Sequence, residues 1–317
     1  MAYQVLIPED ISEKGKQYLL DRGYVIKMGR GSSEEIICED VVDCEALLVR
    51  NARYTKKIME AGKRLKVIAR HGTGTDNIDV EAATELGIQV VNGPAANIDT
   101  VAEYTVSLML ALSNDLLQID RNTREGNWEF RKTYKRGEMH EKTVGIVGFG
   151  HIGQAVAKIL LAAWKPTVLI YDGYVKEKSV PEGARRVDSL EELLKESDIV
   201  TLHVPSTPET RGMLGKNQFE MMKESAVLVN CARGDICEEK ALCEALKNHV
   251  IYGAALDVFE TEPLSSDSPL LELPHVIVSQ HCAGLSAAAT DRMALYAAQG
   301  VDEVLSGRSP SWPVNRL

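Results

Sequence analysis

Residues 143–163 read TVGIVGFGHIGQAVAKILLAA, and this stretch decides the fold of the chain. It begins with the β-branched and apolar residues of a buried strand and ends with the apolar spacing of a helix. Between them stand Gly148, Gly150 and Gly153 in the pattern G-x-G-x-x-G. The first glycine permits a tight turn, the second lets a ligand approach the backbone, and the third lets helix and strand pack closely. The stretch therefore predicts a phosphate-binding turn between a strand and a helix.

The next strand-like run, TVLIYD, ends in Asp172, 22 positions after Gly150. An acid about 20 residues beyond such glycines can accept hydrogen bonds from the adenosine ribose of a dinucleotide. Its negative charge would repel the 2′-phosphate of NADP, and neighbouring Gly173 and Tyr174 supply no arginine to bind that phosphate. The strand, turn, helix and acid together predict a dinucleotide-binding domain that uses NAD.

Similar apolar runs alternate with amphipathic stretches along the rest of the chain. The first series consists of YQVLI, ALLVR, KVIAR and IQVVN, and the second of TVGIVG, TVLIYD, DIVTLHV, AVLVN, YGAALDV and HVIVSQ. Buried strands alternating with helices indicate parallel sheets covered on both faces. We therefore predict the α/β class, with a Rossmann-type doubly wound parallel sheet inserted into a smaller flavodoxin-like α/β substrate domain.

Two longer stretches predict the domain organisation. One helical stretch follows Ile98 and continues to Trp128, and another runs from about Ser286 to about Leu305. Each borders the second series of strands, so we expect both helices to cross between two domains that enclose a cleft. The NAD-binding Rossmann domain would be residues 98–289. The discontinuous substrate domain would be residues 1–97 plus 290–317.

Composition restricts the class of partner. The chain has 317 residues and a formal net charge of −10, which disfavours binding to nucleic acid or to an anionic membrane. Its six cysteines include no CxxC pair, so no metal site is predicted. The opening residues MAYQVLIPED lack the features of a leader peptide, and we expect a cytoplasmic protein.

Three polar residues follow strands of the second series. Arg233 lies in NCARGD, Glu262 in DVFETEPL and His281 in SQHCAG. With HGTGTDNID at 71–79, NGPAANIDTVAEYT at 92–105 and the glycine motif, these segments resemble the D-isomer-specific 2-hydroxyacid dehydrogenase family over nearly the whole chain. The resemblance implies hydride transfer between NAD and a small D-2-hydroxy or 2-keto acid.

The chemistry of that reaction suits the three side chains. An arginine fork can bind a carboxylate and polarise the adjacent carbonyl, the role that the resemblance gives to Arg233. A histidine can donate or accept the proton near neutral pH, and a carboxylate partner can orient its ring, as implied for His281 and Glu262. The family usually has proline before the catalytic histidine, whereas this chain has Gln280.

The resemblance also implies residues that contact the coenzyme and the substrate. Asp257 would face the nicotinamide carboxamide, with Cys231 nearby, and His203, Val204 and Pro205 would flank the adenine. The other implied coenzyme contacts are His151, Ile152, Ala232, Arg233, His281 and Gly284. The implied substrate contacts are Arg50, Arg70, Thr73, Gly74, Arg233 and His281, with Arg131 as a further phosphate-binding candidate.

The N-terminal half is most similar to phosphoglycerate dehydrogenases, and we expect the chain to lack the regulatory C-terminal domain that is frequent among them. That similarity favours 3-phosphoglycerate or phosphohydroxypyruvate as the substrate. Three alternatives remain open at this point: a glyoxylate/hydroxypyruvate-type reductase, a formate- or phosphite-type dehydrogenase, and an NAD-sensing binding protein that resembles corepressors of the same fold. The long helix after Ile98 and GNWEFRKTY resemble the family's dimer region, so a homodimer is expected.

Overall fold

The computed structural model describes residues 2–134 and 138–317 and divides into two compact units. The first unit consists of the chain up to Ile98 together with Gly284–Leu317. The second unit consists of Asp99–Ala283. The first unit is therefore discontinuous in sequence, and the second is a single segment.

A five-stranded parallel sheet forms the centre of the first unit. Its strands are β1 (Gln4–Ile7), β2 (Val25–Met28), β3 (Ala46–Val49), β4 (Val67–Arg70) and β5 (Gln89–Val91). The helices of the N-terminal segment are α1 (Glu13–Leu20), α2 (Glu34–Asp40), α3 (Lys56–Ala61) and α4 (Val80–Glu85). The strand order β2-β1-β3-β4-β5 is the flavodoxin-like order, as predicted.

The C-terminal helix, Ala287–Leu305, packs on one face of this sheet. Ala294, Ala297 and Ala298 are fully buried there against strand residues. These small side chains let the C-terminal helix pack closely against α1. A Cβ added at Gly15 of α1 would stand 2.7 Å from the carbonyl oxygen of Ala294. Ser286 caps the helix by accepting a hydrogen bond from the Ala289 N–H, so the helix begins where the sequence predicted.

The second unit contains a seven-stranded parallel sheet. Its strands are β6 (Thr143–Val147), β7 (Thr167–Tyr171), β8 (Ala184–Arg186), β9 (Ile199–Leu202), β10 (Val227–Asn230), β11 (Gly253–Leu256) and β12 (Val276–Val278). The order β12-β11-β10-β9-β6-β7-β8 extends the Rossmann order by one strand, so the predicted fold class is confirmed. The sheet reverses its direction of growth between β6 and β9, the position at which such sheets bind ligands.

α-Helices precede or connect the strands of the second unit. They are α5 (Ile98–Ser113), α6 (Leu116–Arg124), α7 (Phe130–Thr133), α8 (His151–Ala163), α9 (Leu190–Glu196), α10 (Lys216–Met221) and α11 (Glu239–Lys247). The C-terminal helix of the first unit is accordingly α12. The buried residues form one cluster around α9, α10 and α11 and another around α5 and α8.

The prediction of a single helical stretch from Ile98 to Trp128 is wrong. The helix ends at Ser113, and Asp115 has the left-handed backbone angle φ of 46°. Asn and Asp tolerate this conformation better than other side chains, and it ends a helix. The hydroxyl of Tyr252 donates a 2.6 Å hydrogen bond to the Asp115 carboxylate and fixes the break. The helical periodicity of the sequence continues past this point, so it did not reveal the break.

Sequence periodicity also missed two strands, β2 and β8. Both lie at an edge of their sheet, where a strand has one neighbour instead of two. β2 contains the exposed Val25 and Met28, and β8 has the sequence ARR. The pattern used for buried strands is a continuous apolar run, so it does not detect these two strands, whereas it detected the other edge strands, β5 and β12.

Within the described residues, no helix is both long enough and apolar enough to cross a membrane.

Candidate active site

The glycine turn lies at the carboxyl end of β6, at the point where the sheet reverses. Gly148 has a φ of +91°, and a Cβ there would stand 2.7 Å from backbone atoms of His203. A Cβ at Gly153 would stand 2.3 Å from the carbonyl oxygen of Gly148. These two glycines therefore permit close packing between the turn, α8 and the end of β9.

Gly150 has a different environment, because a Cβ placed on it would meet no atom within 4 Å. It is the N-cap of the 13-residue helix α8, where no side chain accepts a hydrogen bond from the first N–H groups. Free N–H groups at the positive end of a helix dipole bind phosphate. His151 and Ile152, the first two residues of α8, bring backbone N–H groups to this position. The open space and the donors together fit the pyrophosphate of a dinucleotide.

Asp172 directly follows β7 and holds the loop around the glycine turn. One carboxylate oxygen accepts a 2.7 Å hydrogen bond from the Phe149 N–H. The other accepts hydrogen bonds from the N–H groups of Tyr174 at 2.7 Å and Val175 at 3.0 Å. These bonds fix the carboxylate beside the turn, and the oxygen bonded to Phe149 keeps a second lone pair for a ligand hydroxyl.

The residues expected near the adenine and the nicotinamide follow β9 and β10. The ring of His203 lies 3.0 Å from the Thr201 hydroxyl, and burial lowers the pKa of His203 to about 4. Val204 and Pro205 follow it at the carboxyl end of β9. Burial raises the pKa of the Cys231 thiol to about 12, against a smaller lowering by a hydrogen bond with Thr105. Both groups are therefore neutral at physiological pH.

A buried asparagine shapes the loop that carries Arg233. Asn230 is the last residue of β10 and is 1% exposed. Its side-chain oxygen accepts a 3.0 Å hydrogen bond from the Ala232 N–H, and its amide donates a 2.8 Å bond to the Arg233 carbonyl. The guanidinium of Arg233 donates a 2.7 Å bond to the Ala232 carbonyl. The side chain of Asn230 thus holds the backbone from the Ala232 N–H to the Arg233 carbonyl.

Gly234 brings the Arg233 loop against the loop that follows β11. A Cβ at Gly234 would stand 1.9 Å from the backbone carbon of Phe259, so no other residue fits in this position without a shift. Glu262 lies three residues beyond Phe259 and accepts a 3.1 Å hydrogen bond from the Phe259 N–H. The close approach of the two loops explains why the charge of Arg233 acts on Glu262.

His281 and Glu262 form a hydrogen-bonded pair. The imidazole Nδ1 lies 2.8 Å from the second carboxylate oxygen of Glu262. Burial raises the pKa of Glu262, but the hydrogen bond and charge of His281, the Phe259 N–H and the charge of Arg233 together hold it below its ordinary value. The carboxylate is therefore ionised and orients the ring through Nδ1, which leaves Nε2 for a ligand. The imidazole side chain is 53% exposed.

Asp257 anchors the loop that carries His281. It follows β11 and is 1% exposed. Its carboxylate accepts hydrogen bonds from the Ser279 hydroxyl at 2.6 Å, the Cys282 N–H at 2.9 Å and the Ala283 N–H at 2.8 Å. Its carbonyl accepts a 2.8 Å bond from the His281 N–H. A buried carboxylate with this many donors fixes the loop on both sides of His281.

The expected substrate residues Arg50, Arg70, Thr73 and Gly74 all lie in the first unit, at the ends of β3 and β4. Arg70 donates to the carbonyls of Gly74 at 2.9 Å and His71 at 2.6 Å, so it supports the glycine-rich turn from within. Arg50 donates a 2.7 Å bond to the Asp10 carbonyl. Burial, with the charges of Arg50 and Arg70, lowers the pKa of His71 to about 4, so this histidine is neutral at physiological pH and lies near two positive guanidinium groups.

Thr73 and Gly284 both lie next to Asn97 in the first unit. The Thr73 hydroxyl lies 3.1 Å from the Asn97 side-chain oxygen, and a Cβ at Gly284 would stand 2.7 Å from the Asn97 amide nitrogen. Asn97 therefore packs against both segments. Arg131, the further candidate for phosphate binding, is exposed on α7 of the second unit.

Sequence reasoning missed three residues that shape the site: Asn230, Gly234 and Ser279. The glycine directly after Arg233 was a usable signal, because a glycine next to a functional residue often marks a close backbone approach. No comparable signal marks Ser279, since its partner Asp257 lies 22 positions away, whereas the Asn230 side chain bonds to residues two and three positions later. Among the described residues, no group of three or more His, Cys, Asp and Glu side chains could hold a metal ion.

The fold and the glycine turn define a dinucleotide-binding α/β protein. Residues 106–283 match the family model for the NAD binding domain of D-isomer specific 2-hydroxyacid dehydrogenases. The chain belongs to the D-isomer specific 2-hydroxyacid dehydrogenase family, and the family prediction from sequence is confirmed.

Known relatives differ in the reaction that their names describe. The chain is 41% identical over 306 residues to D-3-phosphoglycerate dehydrogenase of Archaeoglobus fulgidus, covering 96% of this chain and 58% of that protein. It is 36% identical to glyoxylate reductase of Korarchaeum cryptofilum, covering 100% of this chain and 97% of that protein. The chain thus spans somewhat over half the length of the first relative.

A solved structure supports the same fold assignment. The NADPH-dependent glyoxylate/hydroxypyruvate reductase of Sinorhizobium meliloti superposes with a TM-score of 0.87 at 26% sequence identity, covering 98% of this chain and 97% of that one.

Proposed function

We propose that this protein is an NAD-dependent oxidoreductase that interconverts a small D-2-hydroxy acid and the corresponding 2-keto acid. The observation that carries the proposal is the 2.8 Å pair between His281 Nδ1 and the Glu262 carboxylate, with Arg233 close enough to lower the pKa of Glu262. The three residues follow β10, β11 and β12 at the carboxyl edge of the sheet that carries the glycine turn. Ligands of open α/β sheets bind at that edge.

Each catalytic side chain has a distinct role in keto acid reduction. Arg233 binds the substrate carboxylate and polarises the adjacent carbonyl through its planar fork of donors. His281 donates a proton from Nε2 to the carbonyl oxygen as negative charge develops there. Glu262 holds the ring through Nδ1 and stabilises its protonated form. In the oxidative direction, His281 accepts the proton instead.

The second unit is the proposed binding site for the coenzyme. The N–H groups at the start of α8 would hold the pyrophosphate, and Asp172 would bind the adenosine ribose and disfavour a 2′-phosphate. When bound, NADH supplies the hydride for the reduction. His203, Val204, Pro205, Cys231, Ala232, Asp257 and Gly284 are the further proposed coenzyme contacts. The first unit is the proposed substrate domain.

For the substrate we favour phosphohydroxypyruvate and 3-phosphoglycerate. The support is the pair of positive side chains Arg50 and Arg70, which both lie near the neutral His71 in the first unit, since guanidinium groups bind phosphate well. Thr73 and Gly74, in the turn next to this pair, are the proposed backbone contacts of the substrate. Glyoxylate and hydroxypyruvate are the competing substrates, which need no phosphate site.

The experiment that tests this function is NADH oxidation with phosphohydroxypyruvate, hydroxypyruvate, glyoxylate and pyruvate, repeated with NADPH. We expect turnover with NADH, and we expect the Arg50→Glu variant to raise the KM for phosphohydroxypyruvate by about tenfold or more, because a phosphate contact becomes a repulsion. The KM for glyoxylate serves as the internal control and should change much less. An unchanged KM for phosphohydroxypyruvate in the Arg50→Glu variant would contradict the proposed phosphate site. NADH binding without turnover of any acid would favour the NAD-sensing alternative.

We also propose a homodimer formed through the segment from α6 to α7. No residue of α6 or α7 is buried, although Leu116 and Leu117 are 50% exposed and the neighbouring Trp128 is 68% exposed. Exposed large apolar residues on a segment without a buried face mark an interaction surface.

All six cysteines are free thiols, which is consistent with a reducing compartment such as the cytoplasm.

Light scattering should give a mass of twice the 34.9 kDa chain. Trp128→Asp should shift the mass to that of one chain, because the charge would be buried in the interface. Leu20→Asp is the matched control, since Leu20 is a 51% exposed leucine of the first unit. A single-chain mass for the unmodified protein would refute the dimer.

A further inference from the structure

The backbone of the loop that carries His281 has an unfavourable conformation. His281 has a φ of 51°, in the left-handed region that non-glycine residues rarely adopt. Such a conformation is unfavourable and persists only where surrounding contacts impose it. The residue before it is Gln280, whereas the family usually has a proline that restricts the backbone there. The chain therefore needs other contacts to hold the ring in place.

Asp257 holds one side of this loop, through bonds to Ser279, His281, Cys282 and Ala283. Each of these four residues is tied to the end of β11, and the N–H of Gln280 makes no hydrogen bond to any residue that the structure describes. Gln280 is exposed and lies directly before the strained residue. The contacts on the two sides of Gln280 thus replace the rigidity that a proline would provide.

A second group contacts the loop from α5. The Cys282 thiol lies 3.6 Å from the Tyr104 hydroxyl and equally far from one carboxylate oxygen of Asp257, and Ser279 lies close enough to the Tyr104 hydroxyl to act on its pKa. The Tyr104 side chain packs on the buried cluster around α5 and α8, which makes it a rigid support. Burial raises the pKa of Tyr104 to about 12, so the hydroxyl keeps its proton throughout the working pH range.

We propose that Tyr104 is a positioning residue, whose hydroxyl contacts Cys282 directly after His281 and so keeps the imidazole aligned in the absence of a preceding proline. Tyr104 does not itself transfer a proton. It acts on the reaction only through the orientation of His281, so this inference rests on the proposed function.

The test begins with Tyr104→Phe, which removes the hydroxyl and keeps the ring in the core. We expect kcat for keto acid reduction to fall about threefold to tenfold, the range that corresponds to one neutral hydrogen bond. The KM for NADH should stay unchanged. Tyr24→Phe is the matched control, because the Tyr24 hydroxyl donates a 2.9 Å bond to Asp302 in the first unit, and its loss should leave kcat unchanged.

Rescue by proline distinguishes positioning from a general loss of stability. In Tyr104→Phe/Gln280→Pro, proline removes no hydrogen bond and restricts the backbone directly before His281. We expect this double variant to recover most of the lost kcat. A Tyr104→Phe variant with full kcat, or a loss that proline fails to recover, would overturn the proposal.

Amide hydrogen exchange of residues 279–283 provides a readout that needs no turnover. We expect faster exchange in Tyr104→Phe than in the unmodified protein, and slower exchange again in the double variant. Equal exchange in all three would also overturn the proposal. If the unmodified protein reduces no keto acid, the proposed function fails, and the exchange measurement still decides whether Tyr104 holds the loop.

Discussion

Replacement of His281 by alanine is expected to lower kcat for 2-keto acid reduction by about 10²–10⁴-fold, the contribution typical of a general acid. The imidazole is the only group of the proposed trio that can donate a proton near neutral pH, since Glu262 is ionised and an arginine does not give up its proton. NADH binding should be retained, because the glycine turn and Asp172 lie on other strands.

Two measurements check this prediction. Steady-state rates give kcat, and the fluorescence of bound NADH gives its dissociation constant. His140→Ala is the matched control, because His140 is 57% exposed, has Glu138 as its neighbour and has no proposed part in the reaction. Turnover near that of the unmodified protein in His281→Ala would show that another group supplies the proton. A simultaneous loss of NADH binding would point to damage to the fold.

The second large effect is expected for Arg233→Lys. Lysine keeps the positive charge but loses the planar fork that can bind the carboxylate and the carbonyl together. A hydrogen bond to a charged group contributes about 1.5–3 kcal/mol, so we expect kcat/KM for the keto acid to fall roughly 10- to 100-fold. Asn230 and Gly234 hold the backbone of this residue, so the substitution should leave the loop in place.

Inhibition by oxamate separates binding from catalysis in this variant. Oxamate carries a carboxylate beside a carbonyl, as the substrate does, and accepts no hydride. Arg233→Lys should weaken its inhibition by a similar factor. Arg185→Lys is the control, because Arg185 forms its ion pairs with Glu192 and Glu196 at the far edge of the sheet. Unchanged oxamate inhibition would mean that the substrate carboxylate is bound elsewhere.

The predicted effects are large because each side chain is held before any ligand binds. One carboxylate oxygen of Glu262 accepts a hydrogen bond from the Phe259 N–H, and the other is hydrogen-bonded to the His281 ring. Asp257 holds the His281 loop, and Asn230 holds the Arg233 loop. Preorganised groups need no costly rearrangement during the reaction, which is the physical basis of most enzymatic stabilisation of developing charge.

Local sequence patterns determined most of the fold. The ten strands predicted as apolar runs are present, because a strand covered on both faces must be apolar throughout. The glycine turn was equally predictable, since Gly148 has a positive φ and Gly153 contacts the Gly148 carbonyl within the same motif. The edge strands β2 and β8 were not predictable from apolar runs, because they contain exposed or charged residues. The helix break at Asp115 was not predictable either, because it is fixed by Tyr252, which is distant in sequence.

For the candidate site, the sequence by itself determined which side chains are present and at which strand ends they lie. Family motifs identified Arg233, Glu262 and His281. Arg233 and Glu262 are held in part by residues three positions away. The His281 loop, in contrast, is held by residues far away along the chain, and only the folded structure reveals those contacts. Asp257 reaches residues 22 to 26 positions later, and Tyr104 reaches Cys282 across 178 positions. Such contacts have no local periodicity, so they arise only when parallel strands place their carboxyl ends side by side.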